Sequence, residues 1–149
     1  MSPKDQEYRE LTVLGRKAKP SKKLEAFPNR TPGRYYLVIL ETSEFTCLCP
    51  ITGQPDFARI RVEYVPDQKI VESKSFKLYL WSYRDEGVFH EHVVNRILDD
   101  LVQTLNPHWC RVIGRFNIRG GIAITVDAEH LRTPAAREAI KDRIGNVRS

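Results

Sequence analysis

Apolar residues alternate with polar ones in three segments of the chain, residues 58–64, 110–116 and 122–126. This period of two is the pattern of β-strands that have one buried face. An earlier run, residues 34–41, is rich in aromatic and β-branched residues and predicts a strand buried on both faces. Residues 44–56 contain two prolines and a glycine, and they predict a long loop between the first two strands.

Between the second and third strands the apolar period changes to three or four, which predicts two helices. The first carries apolar side chains at i, i+3, i+4 and i+7, starting from Phe76, and Gly87 separates it from the second. The second begins near Phe89 and stops before Pro107. The order β-β-α-α-β-β predicts an α+β fold, a four-stranded antiparallel sheet with two helices on one face.

The length of 149 residues is that of one domain with a core of its own. Residues 1–33 are polar and rich in proline and lysine, and they predict a flexible N-terminal arm. Residues 34–149 predict a single domain. Near its end, Thr133 and Pro134 predict the cap and the first position of a short C-terminal helix that ends near Gly145.

The net charge is +5, from 24 Lys and Arg against 19 Asp and Glu, and the excess lies in the two tails. The folded part of a duplex-binding protein normally carries the positive charge, so we expect no nucleic-acid partner for the core. An RNA-binding module that uses the tails is the non-enzymatic alternative. No apolar run has the length of a membrane span, and the N-terminus lacks the apolar stretch of a signal peptide. Three cysteines then favour a reducing, cytoplasmic setting without disulfides.

The loop of residues 44–56 contains the densest reactive chemistry. Cys49 precedes a proline, and Asp56 lies seven residues later at the start of a strand. A thiolate attacks electrophilic carbon, and a neighbouring carboxylic acid delivers the proton that the product needs. A small buried cysteine and an aspartate in a turn are the structural alternatives. The side chain of Cys47 alternates with that of Cys49 and is expected to point the other way.

Cys47 and Cys49 also form a possible set of zinc ligands with His90 and His92. The Cys-x-Cys spacing is a poor tetrahedral pair, and no familiar zinc spacing is present. We therefore expect no metal site.

Charged side chains also stand at the predicted helix starts. Residues 72–77 place a carboxylate, hydroxyls and two lysines where a helix begins, which attracts an anion or forms a solvated face. Glu91 either complements the helix dipole or accepts two hydrogen bonds from a guanine-like edge. Arg119 precedes two glycines and belongs either to a hairpin turn or to a phosphate contact. Neither a P-loop nor a Gly-x-Gly-x-x-Gly motif occurs.

Taken together, residues 72–82 (ESKSFKLYLWS), the upstream Cys49-Pro50 and the downstream Phe89-His90-Glu91 resemble a known family. They are similar to NADPH-dependent 7-cyano-7-deazaguanine reductases, the nitrile reductases of queuosine biosynthesis, in their short single-domain type. The resemblance covers residues 36–124, and residues 53–58 and 119–121 match as well. A zinc-dependent enzyme like GTP cyclohydrolase I, on the same fold, is the alternative.

The resemblance implies the tunnelling fold, whose subunits assemble into rings or stacked rings, such as decamers, with active sites between subunits. Closing a ring pairs strand edges that are otherwise exposed. The resemblance also implies that Cys49 forms a covalent thioimidate with the nitrile of a deazapurine substrate. It implies further that Asp56 donates the proton and that NADPH supplies hydride. Glu91 is then expected to hold the guanine-like edge of the substrate. The remaining expected contacts are Val71, Glu72, Ser73 and His90 for the substrate, and Lys74, Lys77 and Arg119 for the cofactor phosphates.

Overall fold

A computed structural model describes residues 18–145 of the chain. In this part, the elements in chain order are β1 Ala26–Pro28, β2 Val38–Leu48, β3 Pro55–Val65, β4 Lys69–Val71, α1 Ser73–Trp81, α2 His90–Leu105, β5 Trp109–Arg119, β6 Ile122–Leu131 and α3 Pro134–Ile140. The main sheet is antiparallel throughout, with the strand order β2-β3-β5-β6. Helices α1 and α2 pack on it, so the predicted α+β fold with a four-stranded antiparallel sheet is confirmed.

The core lies between the sheet and the two helices. Strand positions at intervals of two, such as Ile60 and Val62, meet helix positions at intervals of three or four, such as Ile97 and Leu101. Burying side chains of this size stabilises the fold by about 1.5–3 kcal/mol each. Helix α2 ends at Asn106 in the left-handed conformation (φ 44°), immediately before the proline that cannot continue it.

The predictions for the first strand and the following loop were wrong in their bounds. Strand β2 runs to Leu48, so the connection to β3 is short, and its first half alternates between half-buried and exposed positions. Within the described residues it pairs only with β3, which makes it an edge strand of this chain. A register shift between Thr42 and Phe45 marks an irregularity in the pairing. Such a bulge interrupts the period of two, which is why the sequence pattern did not extend the strand.

The described part of the predicted N-terminal arm contains a short strand. Residues 26–28 form β1, which pairs antiparallel with β4. The hydrogen bonds from Glu72 N–H to the Glu25 carbonyl (2.8 Å) and from Asn29 N–H to the Gln68 carbonyl (2.8 Å) flank this pairing. A three-residue strand is too short to show a period, so the pattern gave no signal. Residues 1–17 of the arm lie outside the described residues.

The other face of the sheet carries a second, smaller core beneath the C-terminal segment. Helix α3 begins at Pro134 as predicted, and its Ile140 packs with Val65 and Trp109. Glu63, on the predicted polar face of β3, is 0% exposed and accepts a hydrogen bond from Gly145 N–H at 2.7 Å. The predicted alternation holds, but the C-terminal segment covers its polar side. Among residues 18–145, no helix is long and apolar enough to cross a membrane.

Candidate active site

Cys49 lies in the tight turn that joins β2 to β3. Its N–H donates to the Gln54 carbonyl at 2.8 Å, and its own carbonyl accepts from Gly53 N–H at 2.9 Å. Gly53 has φ 72°, a conformation that glycine adopts without the strain of a Cβ atom. These bonds close the turn on itself and hold the cysteine at its base.

The turn favours the thiolate form of Cys49. The side chain of Thr52 is the largest influence that lowers the pKa of this thiol, followed by the backbone N–H groups of Thr52 and Ile51, and the positive charge of Arg119 adds to them. The Thr52 N–H lies 3.5 Å from Sγ. Hydrogen-bond donors and a cation aimed at sulfur stabilise its charged form.

The other two cysteines are in the opposite situation. Burial, with smaller contributions from Asp56 and Glu86, raises the pKa of Cys47 to about 11. Burial raises the pKa of Cys110 to about 12. Cys47 is 0% exposed and its side chain lies in the core. Alternation is not the reason that it differs from Cys49, because residues two apart in a strand share a face; β2 ends at Leu48, and Cys49 already belongs to the turn. Of the three thiols, that of Cys49 alone is both accessible and readily ionised.

Asp56 stands at the start of β3 with its carboxylate 4% exposed, between two positively charged or chargeable partners. Arg119 Nη1 donates to Oδ1 at 2.5 Å, and His90 Nε2 lies 3.0 Å from Oδ2. The ring of His90 stacks on Phe116, with 3.8 Å between centroids and 8° between planes. A buried carboxylate needs such partners, because an isolated charge is costly to remove from water.

Arg119 connects this acid–base cluster to the turn that holds the cysteine. Besides Asp56, its guanidinium donates to the side-chain oxygen of Gln54. The hydrogen bond to Asp56 is the main reason that the pKa of Arg119 is raised, and Cys49 contributes further. The structure therefore joins Cys49, Asp56, His90 and Arg119 in one site. Arg119, which was expected at the cofactor phosphates, lies here on the carboxylate.

Glu91 follows His90 in the first turn of α2 and is exposed. Its backbone carbonyl accepts from Asn95 Nδ2 at 2.8 Å, whereas its carboxylate has no hydrogen bond or ion pair within residues 18–145. The Phe89 cap gives α2 no side-chain hydrogen bond either. The carboxylate thus stands beside a helix N-terminus with both oxygens free to accept hydrogen bonds from the described part of the chain or from a ligand.

The segment of residues 71–75 is used in part to build the fold. The carboxylate of Glu72 caps α1, accepting from Lys74 N–H at 2.9 Å and from Ser75 N–H at 2.6 Å. These bonds, that of Ser75 first, lower the pKa of Glu72. The N–H of Val71 donates to the Tyr64 hydroxyl at 3.1 Å. Ser73 is exposed, so it is the member of the expected substrate segment that is most open to a ligand.

A groove of about 450 Å³ lies between β2 and α1. Lys77 lines it, whereas Lys74 is exposed on the first turn of the same helix. The side chains of Lys77 and of Arg84, at the end of the groove, have no partner among the described residues. The walls include Phe45, Ser73, Phe76, Leu80 and Trp81.

The sequence did not reveal three residues that contact the predicted site residues and set their position or pKa. Thr52 tunes the thiol, Gln54 ties Arg119 to the turn, and Phe116 supports the imidazole of His90. A hydroxyl three residues after a cysteine in a turn was a usable signal for Thr52. No local signal existed for Phe116, because its contact with His90 joins two distant elements.

Within residues 18–145, no group of three or more His, Cys, Asp or Glu side chains is arranged to hold a metal ion. The site is instead built around one accessible, ionisable cysteine beside a buried carboxylate, a histidine and an arginine. On an α+β sheet, that arrangement is typical of an enzyme that uses a cysteine nucleophile and general acid–base catalysis.

Comparison with known proteins defines the class of enzyme more narrowly. Residues 55–135 match the family described as QueF-like protein. An NADPH-dependent 7-cyano-7-deazaguanine reductase of Syntrophus aciditrophicus is 65% identical over 120 residues, which cover 80% of this chain and 86% of that one. The enzyme of the same name from Thermomicrobium roseum is 61% identical over 114 residues, covering 76% and 89%. The chain belongs to this family of NADPH-dependent nitrile reductases of queuosine biosynthesis.

A solved structure shows the same fold. The apo form of an archaeosine synthase described as QueF-Like superposes with a TM-score of 0.61 and 28% identity. The match covers 66% of this chain and 96% of that one. Family membership decides against the alternative of an enzyme like GTP cyclohydrolase I.

Proposed function

We propose that this chain reduces the nitrile of 7-cyano-7-deazaguanine to the primary amine, 7-aminomethyl-7-deazaguanine, through a covalent adduct on Cys49. The observation that carries this proposal is the pairing of a thiol with a lowered pKa and a buried carboxylate through one arginine. A nitrile carbon is electrophilic but a poor hydride acceptor. Addition of sulfur converts it to an activated carbon–nitrogen double bond, so one difficult reduction becomes two easier ones.

The first step is addition. The Cys49 thiolate forms a bond to the nitrile carbon, one π bond of the nitrile breaks, and its electron pair moves to nitrogen. The proton that the Cys49 thiol releases on ionisation passes to Asp56, whose Oδ2 lies 3.0 Å from His90 Nε2, and Asp56 then donates it to the nitrogen and returns to the carboxylate form. The Thr52 donors and Arg119 lower the pKa of the Cys49 thiol and so favour the thiolate that attacks. The product is a neutral thioimidate.

NADPH, when bound, supplies a hydride to the adduct and a second hydride to the imine released when the carbon–sulfur bond breaks. The groove between β2 and α1 fits part of such a cofactor. It offers apolar and aromatic walls for a ring, and for phosphate it offers Lys77 and Arg84, whose side chains have no partner among residues 18–145. We assign phosphate contacts to Lys74 and Lys77. For Arg119 to bind a cofactor phosphate as well, the phosphate has to compete with Asp56 for the guanidinium.

Glu91 fits the guanine-like edge of the substrate. That edge presents an N1–H and a 2-amino group side by side, and an ionised carboxylate offers two acceptor oxygens at matching spacing. The neighbouring His90 and the segment Val71, Glu72 and Ser73 complete the proposed substrate site. In this chain Val71 is buried and the Glu72 carboxylate caps α1, so Ser73 is the most open member of the segment.

We further propose that the subunits assemble into a ring with the site between neighbours. Strands β2 and β6 each leave one edge unpaired within the described residues. Near those edges the side chains of Ile39 and Ile122 are 43% and 66% exposed. Edge pairing between copies covers both. Light scattering coupled to size exclusion tests this: a monomeric mass contradicts the ring.

The reaction is tested by following NADPH oxidation after addition of 7-cyano-7-deazaguanine. We expect two NADPH consumed for each amine formed, because the reduction transfers four electrons. A simple aromatic nitrile that lacks the guanine-like edge is the matched control and should give no oxidation. The proposal is contradicted if NADPH is oxidised without the deazaguanine nitrile, or if the amine forms without NADPH oxidation.

A further inference from the structure

Gly87 meets the turn that carries Cys49 at a point where a side chain has no room. A Cβ atom on Gly87 would lie 3.1 Å from Cα and 3.5 Å from Cβ of Pro50, the residue after the cysteine. The nearer distance is tighter than ordinary van der Waals contact, and the atom it meets is backbone. Gly87 does not have a positive φ, so its own conformation does not demand glycine. The close approach does.

The same segment is hydrogen-bonded to the residue before the cysteine. The Leu48 N–H donates to the Glu86 carbonyl at 2.9 Å, and the Val88 N–H donates to the Leu48 carbonyl at 3.0 Å. Together these bonds form a parallel bridge between Leu48 and Gly87. The residue before the nucleophile is therefore bonded to this segment, and the residue after it is packed against it.

The segment is held on its other side as well. The Glu86 carboxylate accepts from Lys22 Nζ at 2.8 Å and from Arg96 Nη1 at 2.5 Å. A few residues further on, the same stretch of chain enters α2 and places His90 on Asp56. Because both flanks are anchored, a larger residue at 87 displaces the turn rather than the segment.

We propose that Gly87 is a positioning residue: its missing side chain sets the approach of the Cys49 sulfur to the nitrile carbon. The inference rests on the proposed covalent addition at Cys49. The separation of residues 87 and 50 sets where the thiol stands relative to His90 and Glu91, since these two residues follow Gly87 in the chain and His90 contacts Asp56. A displacement of about 1 Å from the reactive geometry costs on the order of 100-fold in rate, so the shift of a few tenths of an ångström that this contact calls for costs about 4- to 10-fold.

The test compares Gly87→Ala with Gly33→Ala. Both changes add one methyl group, but a Cβ at Gly33 meets nothing within 4 Å. Two quantities are measured without NADPH: the rate of covalent adduct formation with 7-cyano-7-deazaguanine, and the affinity for 7-aminomethyl-7-deazaguanine, which has no nitrile to react. We expect Gly87→Ala to slow adduct formation by about 4- to 10-fold. Its affinity for the amine should stay within about twofold, a factor worth less than 1 kcal/mol. Gly33→Ala should match the wild type in both.

An adduct rate in Gly87→Ala within about twofold of the wild type overturns the inference, and so does an amine affinity that falls as far as the rate. The second result would make the segment part of the binding surface. If wild-type protein forms no adduct, the proposed function falls and this inference falls with it. If Gly87→Ala is too unstable to assay, Glu86→Gln removes the charge that Lys22 and Arg96 hold and so loosens the segment that sets the position of the turn. An unchanged adduct rate in that variant overturns the inference equally.

Discussion

His90 lies flat against Phe116, with 3.8 Å between ring centroids, and this stacking points Nε2 at Oδ2 of Asp56, 3.0 Å away. The imidazole therefore has little freedom to rotate. At the other end of the His90–Asp56 contact, the carboxylate of Asp56 is held in place by Arg119. In the proposed mechanism the pair acts as one acid–base unit, and its geometry is set by an aromatic ring that takes no part in proton transfer.

Asp56→Asn should lower turnover by roughly 10²–10⁴, the usual loss when a general acid is removed, because the amide keeps the shape but not the titratable proton. NADPH affinity should change little. Steady-state turnover and a cofactor titration measure the two effects. Asp99→Asn, at an exposed position of α2, is the matched control and should keep wild-type turnover. Near-normal turnover in Asp56→Asn would reduce this carboxylate to a structural role.

Mixing the protein with 7-cyano-7-deazaguanine in the absence of NADPH should add the full mass of the substrate to one cysteine. Cys49→Ala should add nothing. Cys47→Ala should still react, because Cys47 is buried and its pKa is raised to about 11. Intact-protein mass spectrometry with peptide mapping reads the result. An adduct on Cys47 would show that the nucleophile has been assigned to the wrong thiol.

The pH dependence of alkylation should report the environment of Cys49. Because the Thr52 side chain leads the contacts that lower the pKa of this thiol, the thiolate persists to lower pH than in a free cysteine. Iodoacetamide should therefore label Cys49 at pH values where Cys110, with its pKa raised to about 12, stays unmodified.

Thr52→Val keeps the branched shape and removes the hydroxyl, so the alkylation profile should move to higher pH. Labelling below the midpoint should slow by about two- to tenfold, the factor that one hydrogen bond is worth. Thr46→Val, on β2 outside the turn, is the control. A profile that does not move would assign the lowered pKa to the backbone donors and Arg119 instead.

Glu91→Gln should weaken substrate binding by at least about tenfold, because one acceptor becomes a donor that faces a donor on the base. NADPH binding should be nearly unchanged. Calorimetric titration with the deazaguanine decides between this role and simple complementation of the helix dipole. The second role predicts a small loss of stability with equal affinities.

Lys77→Ala should raise the KM for NADPH by about tenfold, since a charge-assisted hydrogen bond to phosphate is lost from the groove. The affinity for the deazaguanine should not change. Lys69→Ala, an exposed lysine on β4 outside the groove, is the matched control. An unaltered KM in Lys77→Ala would place the cofactor phosphates elsewhere.

The sequence was informative wherever a period was long and unbroken. The sixteen residues of α2 and the eleven of β5 show clear apolar patterns, and both elements form as expected. The apolar patterns failed where a strand is irregular or very short. The bulge between Thr42 and Phe45 hid the second half of β2, and the three residues of β1 are too few to alternate.

The same distinction applies to the site: residues close in sequence were predictable, and contacts between distant elements were not. Cys49 and Asp56 are close in sequence, and the turn between them made their pairing an inference from spacing. The stacking of His90 on Phe116 and the bond from Arg119 to Asp56 join elements that fold together only in the finished sheet. No local pattern encodes such contacts. The residue types were visible, but their partners depended on the tertiary structure.

The bond from Gly145 N–H to the buried carboxylate of Glu63 spans 82 positions of the chain. During synthesis, β3 emerges long before its last partner exists. A nascent chain that has completed all four strands of the sheet still lacks the donor that Glu63 needs, and its second face remains open to water or to other chains. Completion of that face is therefore a late event in folding, and an intermediate that lacks it exposes apolar surface that favours misassembly.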